Sequence, residues 1–267
     1  MITSTFQCFD GIGPGGESRL WETGCLGWND FLRGAGTCLS PAKQNSVAAQ
    51  IRTAQAAREA RLADWFLLRL KGRARLRVLH EFLAEALFLD IETTGLGPRD
   101  TITSIAVCKD GETRVYVDGF NLHRFTETLR DTRLLVTYNG NRFDLPVIRR
   151  CLGLELGTPH LDLMPPLRAL GYSGGLKRCE TLAGLVRPTE TAGVDGAEAV
   201  QLWYRWQNHN DADALRTLVL YNAEDARNLA VLAARLFPKA MDPFPMTPRI
   251  SDPHPVETKQ ILDSLAL

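Results

Sequence analysis

No apolar run in the 267 residues approaches the length of a membrane span, so a transmembrane protein is excluded on this reading. The N-terminus, Met1-Ile2-Thr3-Ser4-Thr5-Phe6, has neither a basic start nor an apolar core. No signal peptide is read there, and a cytoplasmic location is the expectation. The six cysteines form no Cys-x-x-Cys pair, which removes the usual zinc and disulfide patterns. Net charge is absent too: 31 Lys plus Arg balance 31 Asp plus Glu, so the sum says nothing about an acidic partner. The glycine-rich turn near the start, Gly11-Ile12-Gly13-Pro14-Gly15-Gly16, is followed by no Gly-Lys-Ser/Thr and is not a Walker loop.

What is present centres on Ala86–Leu96, which reads Ala-Leu-Phe-Leu-Asp-Ile-Glu-Thr-Thr-Gly-Leu. The apolar run is that of a strand buried on both faces. Asp90 and Glu92 interrupt it two residues apart, so both point to one side. Two like charges buried together call for a cation between them, and hard oxygen ligands suit magnesium or manganese. Thr93-Thr94-Gly95-Leu96 then turns the chain at the strand's carboxyl end, where open α/β sheets hold their ligands.

The rest of the chain divides four ways. Residues 1–40 contain the Gly-x-Gly turn entering a helix, which resembles half of a helix-hairpin-helix unit. Its free amides, at Gly11 and Gly13, suit a phosphate oxygen. The turn reads equally well as a Gly/Pro-rich cap on a small helical subdomain. Residues 41–85 read as a basic helical linker, with one long helix over 46–70. Arginines then thicken toward Arg73, Arg75 and Arg77, either as a solvated face or as a patch tracking a nucleic-acid backbone. Residues 86–237 alternate strands and helices: strands over 101–109, 113–117, 134–138 and 160–163, with an Asp110-Gly111 hairpin turn. A helix over 122–130 and one running from the Asn139–Pro146 stretch to Leu152 complete a mixed sheet, and four further helices end with 212–237. Residues 238–267 read as an irregular, proline-containing tail.

Three acidic stretches follow in order: Asp90-Ile-Glu92, then Asn139 with Asp144, then Tyr221-Asn-Ala-Glu-Asp225. This order resembles the exonuclease motifs of the DEDD superfamily, on a ribonuclease-H-like fold. Tyr221, four residues before Asp225, places the likeness with the Tyr-bearing branch. The stretches His160-Leu-Asp-Leu, Gly175-Leu-Lys-Arg-Cys-Glu-Thr-Leu and Tyr221–Asp225 with Asn228 are similar to the YprB-type ribonuclease-H-like domain. The likeness covers about 86–236 and leaves the first 85 residues outside it.

The resemblance implies an α/β, ribonuclease-H-like mixed sheet flanked by helices, behind a small N-terminal helical module. It implies an enzyme, a 3′-to-5′ exonuclease acting on nucleic acid at single-stranded 3′ ends with two Mg2+ or Mn2+ ions. Asp90 is expected to bridge both ions, Glu92 and Asp225 to hold the water-activating ion, and Asp144 to support the second. Asn139 and the turn Thr93, Thr94, Gly95 and Leu96 are expected at the terminal nucleotide. Tyr221 lies one helical turn before Asp225, on the same face, where its hydroxyl can orient water. Taken alone, each element has a plainer reading: Asp144 as a helix N-cap, His160 and His209 as structural, Trp203 and Trp206 as core, with Asp162 supporting the site. A catalytically inactive binding module and a structure-selective endonuclease are the other readings.

Overall fold

The structure, a computed structural model, describes residues 2–242, 244 and 252–265. Five strands form one sheet: β1 (Ala86–Thr93), β2 (Ile102–Lys109), β3 (Glu112–Val117), β4 (Leu134–Thr137) and β5 (His160–Asp162). Their spatial order is β3-β2-β1-β4-β5, with β1 antiparallel to β2 and parallel to β4. The helices are α1 (Pro14–Glu22), α2 (Trp28–Asp30), α3 (Pro41–Glu59), α4 (Ala63–Leu67), α5 (Leu76–Glu81), α6 (Asp144–Leu152), α7 (Met164–Ala169), α8 (Leu176–Leu182), α9 (Gly196–His209), α10 (Ala212–Met241) and α11 (Thr258–Ser264). The expected mixed α/β sheet with covering helices is the architecture found.

Alternation along β1 decides what meets what. Leu87, Leu89 and Ile91 share a cluster with Ile105, Val107 and, from α6, Val147 and Ile148. Ala86 and Phe88 belong instead to the cluster holding Leu229 and Leu232 of α10. Asp90 and Glu92 continue the second series, so the strand's period of two aims both carboxylates at α10. The register with β2 shifts between Glu92 and Thr93, a break in the ladder beside the carboxylates. The Asp110-Gly111 turn is as read, with both residues at positive φ (52° and 83°).

Three expectations are corrected. The helix expected over 46–70 is two helices, α3 and α4, separated at Arg61, whose φ is 54°. Arg61 is held in that conformation by its guanidinium, which donates to Glu85 (2.7 and 3.0 Å) and to the Glu81 carbonyl (2.9 Å) and lies over the Phe82 ring. The 3₁₀ geometry of Leu122–Leu129 replaces the helix read at 122–130. The C-terminal region is not wholly irregular: α10 runs on through Pro238 to Met241, and Ile261 of α11, with Leu265 just after it, packs into a cluster with α9 and α10. Residues 243, 245–251 and 266–267 of that expected tail lie outside the described residues.

The first 85 residues share a core with the sheet domain. Ile2, Phe6, Trp28, Ile51, Phe66 and Phe82 form one apolar cluster with Leu229, Phe237 and Met241 of α10. Through it runs a buried ion pair, Arg77 to Glu17 at 2.7 Å, each side chain 1% exposed. Glu17 also accepts from the Phe6 amide (2.6 Å) and the Gln7 amide (3.2 Å), and Arg77 Nε donates to the Ala240 carbonyl (3.2 Å). A buried pair of this kind persists only where the remaining polar atoms are satisfied, as they are here.

Candidate active site

One cavity of about 1100 Å3 opens at the carboxyl end of β1 and takes in Asp90, Glu92, Asp144, Tyr221 and Asp225. Strand β1 supplies the first two, the start of α6 the third, and the middle of α10 the last two. Ligand oxygens of Asp90, Glu92 and Asp225 lie within 4.8 Å of one another. Glu92, Asp144 and Asp225 are buried, and Asp90 is partly so.

The electrostatics follow from that crowding. Desolvation, then the charges of Asp225, Asp144 and Glu92, pushes the Asp90 carboxyl well above the ordinary range. Glu92 is raised well above its range by burial and then by Asp225. Asp225 is raised by burial, against the pull of Arg187 and Lys177. Asp144 is raised by burial to about 7, although its own amide and that of Ile91 work against the shift. Carboxylates this crowded are costly in a bare protein, and their all-oxygen donor set fits a divalent cation.

Neighbouring polar groups fix the ligands. Asn222 Nδ2, three residues before Asp225, donates to Asp90 Oδ2 (2.9 Å), and Ser104 Oγ donates to Asn222 Oδ1 (2.8 Å). The turn after β1 is built on Asp100, which accepts from Thr94 Oγ1 (3.0 Å) and from the Gly97 amide (2.5 Å). A Cβ at Gly95, whose φ is 159°, would stand 2.7 Å from that carboxylate, so the turn needs glycine. Thr93 and Leu96 reach the cavity, Leu96 with 88% of its surface exposed; Thr94 and Gly95 build the turn behind them. Asn139 lines the cavity at φ 62°, its amide held by Asp162 Oδ1 (2.8 Å), which also accepts from the Met164 amide (3.0 Å). The adjoining Gly140 is required as well, because a Cβ there would meet Thr137 Oγ1 at 2.0 Å. His160 is occupied structurally, Nε2 with Thr137 Oγ1 (2.9 Å) and Nδ1 with Asn141 Oδ1 (3.2 Å). Trp203 is buried core.

Two cations approach the acids that the sequence did not single out. Lys177 Nζ donates to the Tyr221 hydroxyl at 2.5 Å and lies over its ring, and burial holds this lysine below its ordinary range. Arg187 donates to Asp225 Oδ1 and, through Nε and NH2, to Glu180 at 2.7 and 2.6 Å. Lys177 stood inside a quoted signature stretch, which was the available signal. Arg187 carried none, since its partner lies 38 residues away. Burial, then Asp225, Glu92 and Asp90, raises the Tyr221 phenol, which therefore stays protonated.

The cavity extends past the acids along Tyr138, Arg142, Phe143, Arg168 and Tyr172. Gly11, Gly13, Arg73 and Arg75 are not among its lining residues. Arg73 donates to the Asp242 carbonyl (3.1 Å) and Arg75 to the Leu70 carbonyl (3.0 Å). Arg77, expected in the same basic patch, is in the core instead, drawn in by Glu17.

No curated protein matches the chain. Among solved structures it is similar to the family B DNA polymerase of the hyperthermophilic archaeon Pyrobaculum calidifontis, at 21% identity and a TM-score of 0.44. That likeness covers 57% of this chain and 24% of the polymerase, so the chain spans about a quarter of that protein's length. Residues 87–237, more than half of the chain, match the RNase_H_2 family model, described as RNase_H superfamily. With its mixed five-stranded sheet and its acids at the end of the central strand, the chain belongs to the RNase H superfamily.

Proposed function

We propose that the protein is a metal-dependent 3′-to-5′ exonuclease of the Tyr-bearing DEDD branch, of the YprB-type domain, acting on single-stranded ends of nucleic acid. Membership of the RNase H superfamily supports a nuclease-type function with divalent ions. The observation that carries the finer reading is the meeting of Asp90, Glu92 and Asp225 within 4.8 Å beside Tyr221 and Asp144.

Asp90, Glu92, Asp144 and Asp225 are the residues that would hold magnesium or manganese. Bound ions supply neutralisation of the phosphate charge and a water acidic enough to attack at neutral pH. The chain's own groups do the rest. Lys177 donates into the Tyr221 oxygen, so the phenol's proton is free to point elsewhere and aim a water. Asn222 and Ser104 keep Asp90 from rotating. Asn139, Thr93 and Leu96 position the terminal nucleotide at the cavity mouth. Tyr138 and Phe143 are the rings placed to stack on preceding bases, and Arg142 and Arg168 meet the phosphates; stacking of this kind tolerates any sequence.

The test is incubation of 5′-labelled and 3′-labelled single- and double-stranded DNA and RNA with Mg2+ or Mn2+. A ladder shortened from the 3′ end, fastest on single strands, is the expected product. Internal fragments alone would assign an endonuclease, and binding without any cleavage an inactive module.

A further inference from the structure

Behind Asp225 lies a buried polar chain that the proposed reaction does not use. Asn228 Nδ2 donates to Glu180 Oε1 (3.2 Å), and Glu180 takes Arg187 through two parallel bonds of 2.7 and 2.6 Å. The same guanidinium donates onward from NH2 to Asp225 Oδ1. Side-chain exposure is 9% for Arg187, 3% for Glu180 and 7% for Asp225. Arg187 NH1 is buried with no partner among the described residues. Glu180 and Asn228 belong to the signature stretches, yet neither lines the cavity. The arrangement gives them a purpose: they seat an arginine.

The two-to-two fit of a guanidinium to a carboxylate uses Nε and NH2 of Arg187 on Glu180. The further bond from NH2 places a guanidinium N–H on a proposed metal ligand. A carboxylate oxygen that accepts a guanidinium N–H has that lone pair committed, and a cation reaching the same oxygen must share or displace it. We propose that Arg187 is the resident counter-cation of the acidic centre, competing with the divalent ion for Asp225 and so setting the metal concentration at which the site fills. Glu180 and Asn228 are positioning residues that hold it there. This inference rests on the metal-binding part of the function proposed above.

The competition has a signature of opposite signs. Removing Arg187 takes a positive charge from within a few ångströms of a doubly charged ion, so Mn2+ binding tightens, on the order of tenfold or more. Removing the charge of Glu180 leaves Arg187 to Asp225 alone, so Mn2+ binding weakens. A structural arginine moves neither.

The experiment is calorimetric titration of Mn2+ into the full chain as wild type, Arg187→Met, Glu180→Gln and the double variant. The double variant removes the buried Glu180 charge together with Arg187, so its comparison with Glu180→Gln isolates Arg187 even if Arg187→Met alone folds poorly. Tighter binding in the double variant than in Glu180→Gln, with Glu180→Gln weaker than wild type, is expected. Equal or weaker binding on loss of Arg187 overturns the inference, as does a failure of every form to bind Mn2+. The two readings separate cleanly. A wild type that binds Mn2+ but cleaves no strand removes the nuclease and leaves the competition standing. An active wild type whose Mn2+ affinity ignores Arg187 does the reverse.

Discussion

Two buried charge networks lie in this molecule, and they are built on opposite plans. Around Glu17 and Arg77 one negative group meets one positive group, and backbone amides and a carbonyl take up further polar atoms. Around Asp90 four carboxylates face two cations, and all four are pushed above their ordinary range. The first network is closed, so nothing from outside can improve it. The second is overloaded with negative charge, which protons or an added divalent cation relieve. A buried balanced pair marks packing, whereas a buried unbalanced group marks a place where something binds.

The largest effect should come from unbalancing the second network in function. Asp90→Asn or Asp225→Asn should abolish hydrolysis of end-labelled strands, because a neutral amide cannot hold the ions. Near-normal metal-dependent turnover in either variant would break the comparison at its centre. Unbalancing the first network should act on folding. Glu17→Gln leaves Arg77 buried and unpaired, at a cost of about 3–5 kcal/mol in denaturant unfolding. Turnover per folded molecule should stay at the wild-type value, and a selective loss of turnover would join the N-terminal segment to the chemistry. Tyr221→Phe is a smaller change, expected to lower the rate on the order of 10²-fold with substrate binding preserved. An unaltered rate would mean that the phenol only packs against Lys177. Arg73→Glu with Arg75→Glu tests whether the half-buried arginines beside the first network extend the footprint. If they meet phosphates, the slope of log affinity against log salt on single strands should fall by about 0.7 per contact. An unchanged slope assigns them to solvent.

The sequence carried the second network far better than the first. Asp90 and Glu92 stand in an apolar run, where a charge is conspicuous, and the period of a strand forces them together. Tyr221 and Asp225 are one helical turn apart, a spacing that needs no tertiary knowledge. The sheet, its hairpin at Asp110-Gly111 and the long helix α10 were legible for the same reason: each is a local pattern. Arg77 looked like one of several surface arginines because its partners, Glu17 and Ala240, are 60 and 163 residues away. The break at Arg61 was hidden likewise, since an ordinary helix former adopts φ 54° there to reach Glu85. Arg187 sits beside Val186, which is 93% exposed, and nothing local distinguishes an inward arginine from its outward neighbour.

The claim that these acids are kept for a cation is tested most directly by thermal melting of wild type and Asp90→Asn, each with EDTA and with Mn2+. Asparagine can still accept the Asn222 bond, so the variant loses the charge and little else. With EDTA, Asp90→Asn should melt at or above wild type, because one repelling charge is gone. With Mn2+, wild type should gain stability and overtake the variant, as binding to the folded state requires. A wild type that Mn2+ leaves unmoved, together with a variant that melts lower in EDTA, would contradict the account.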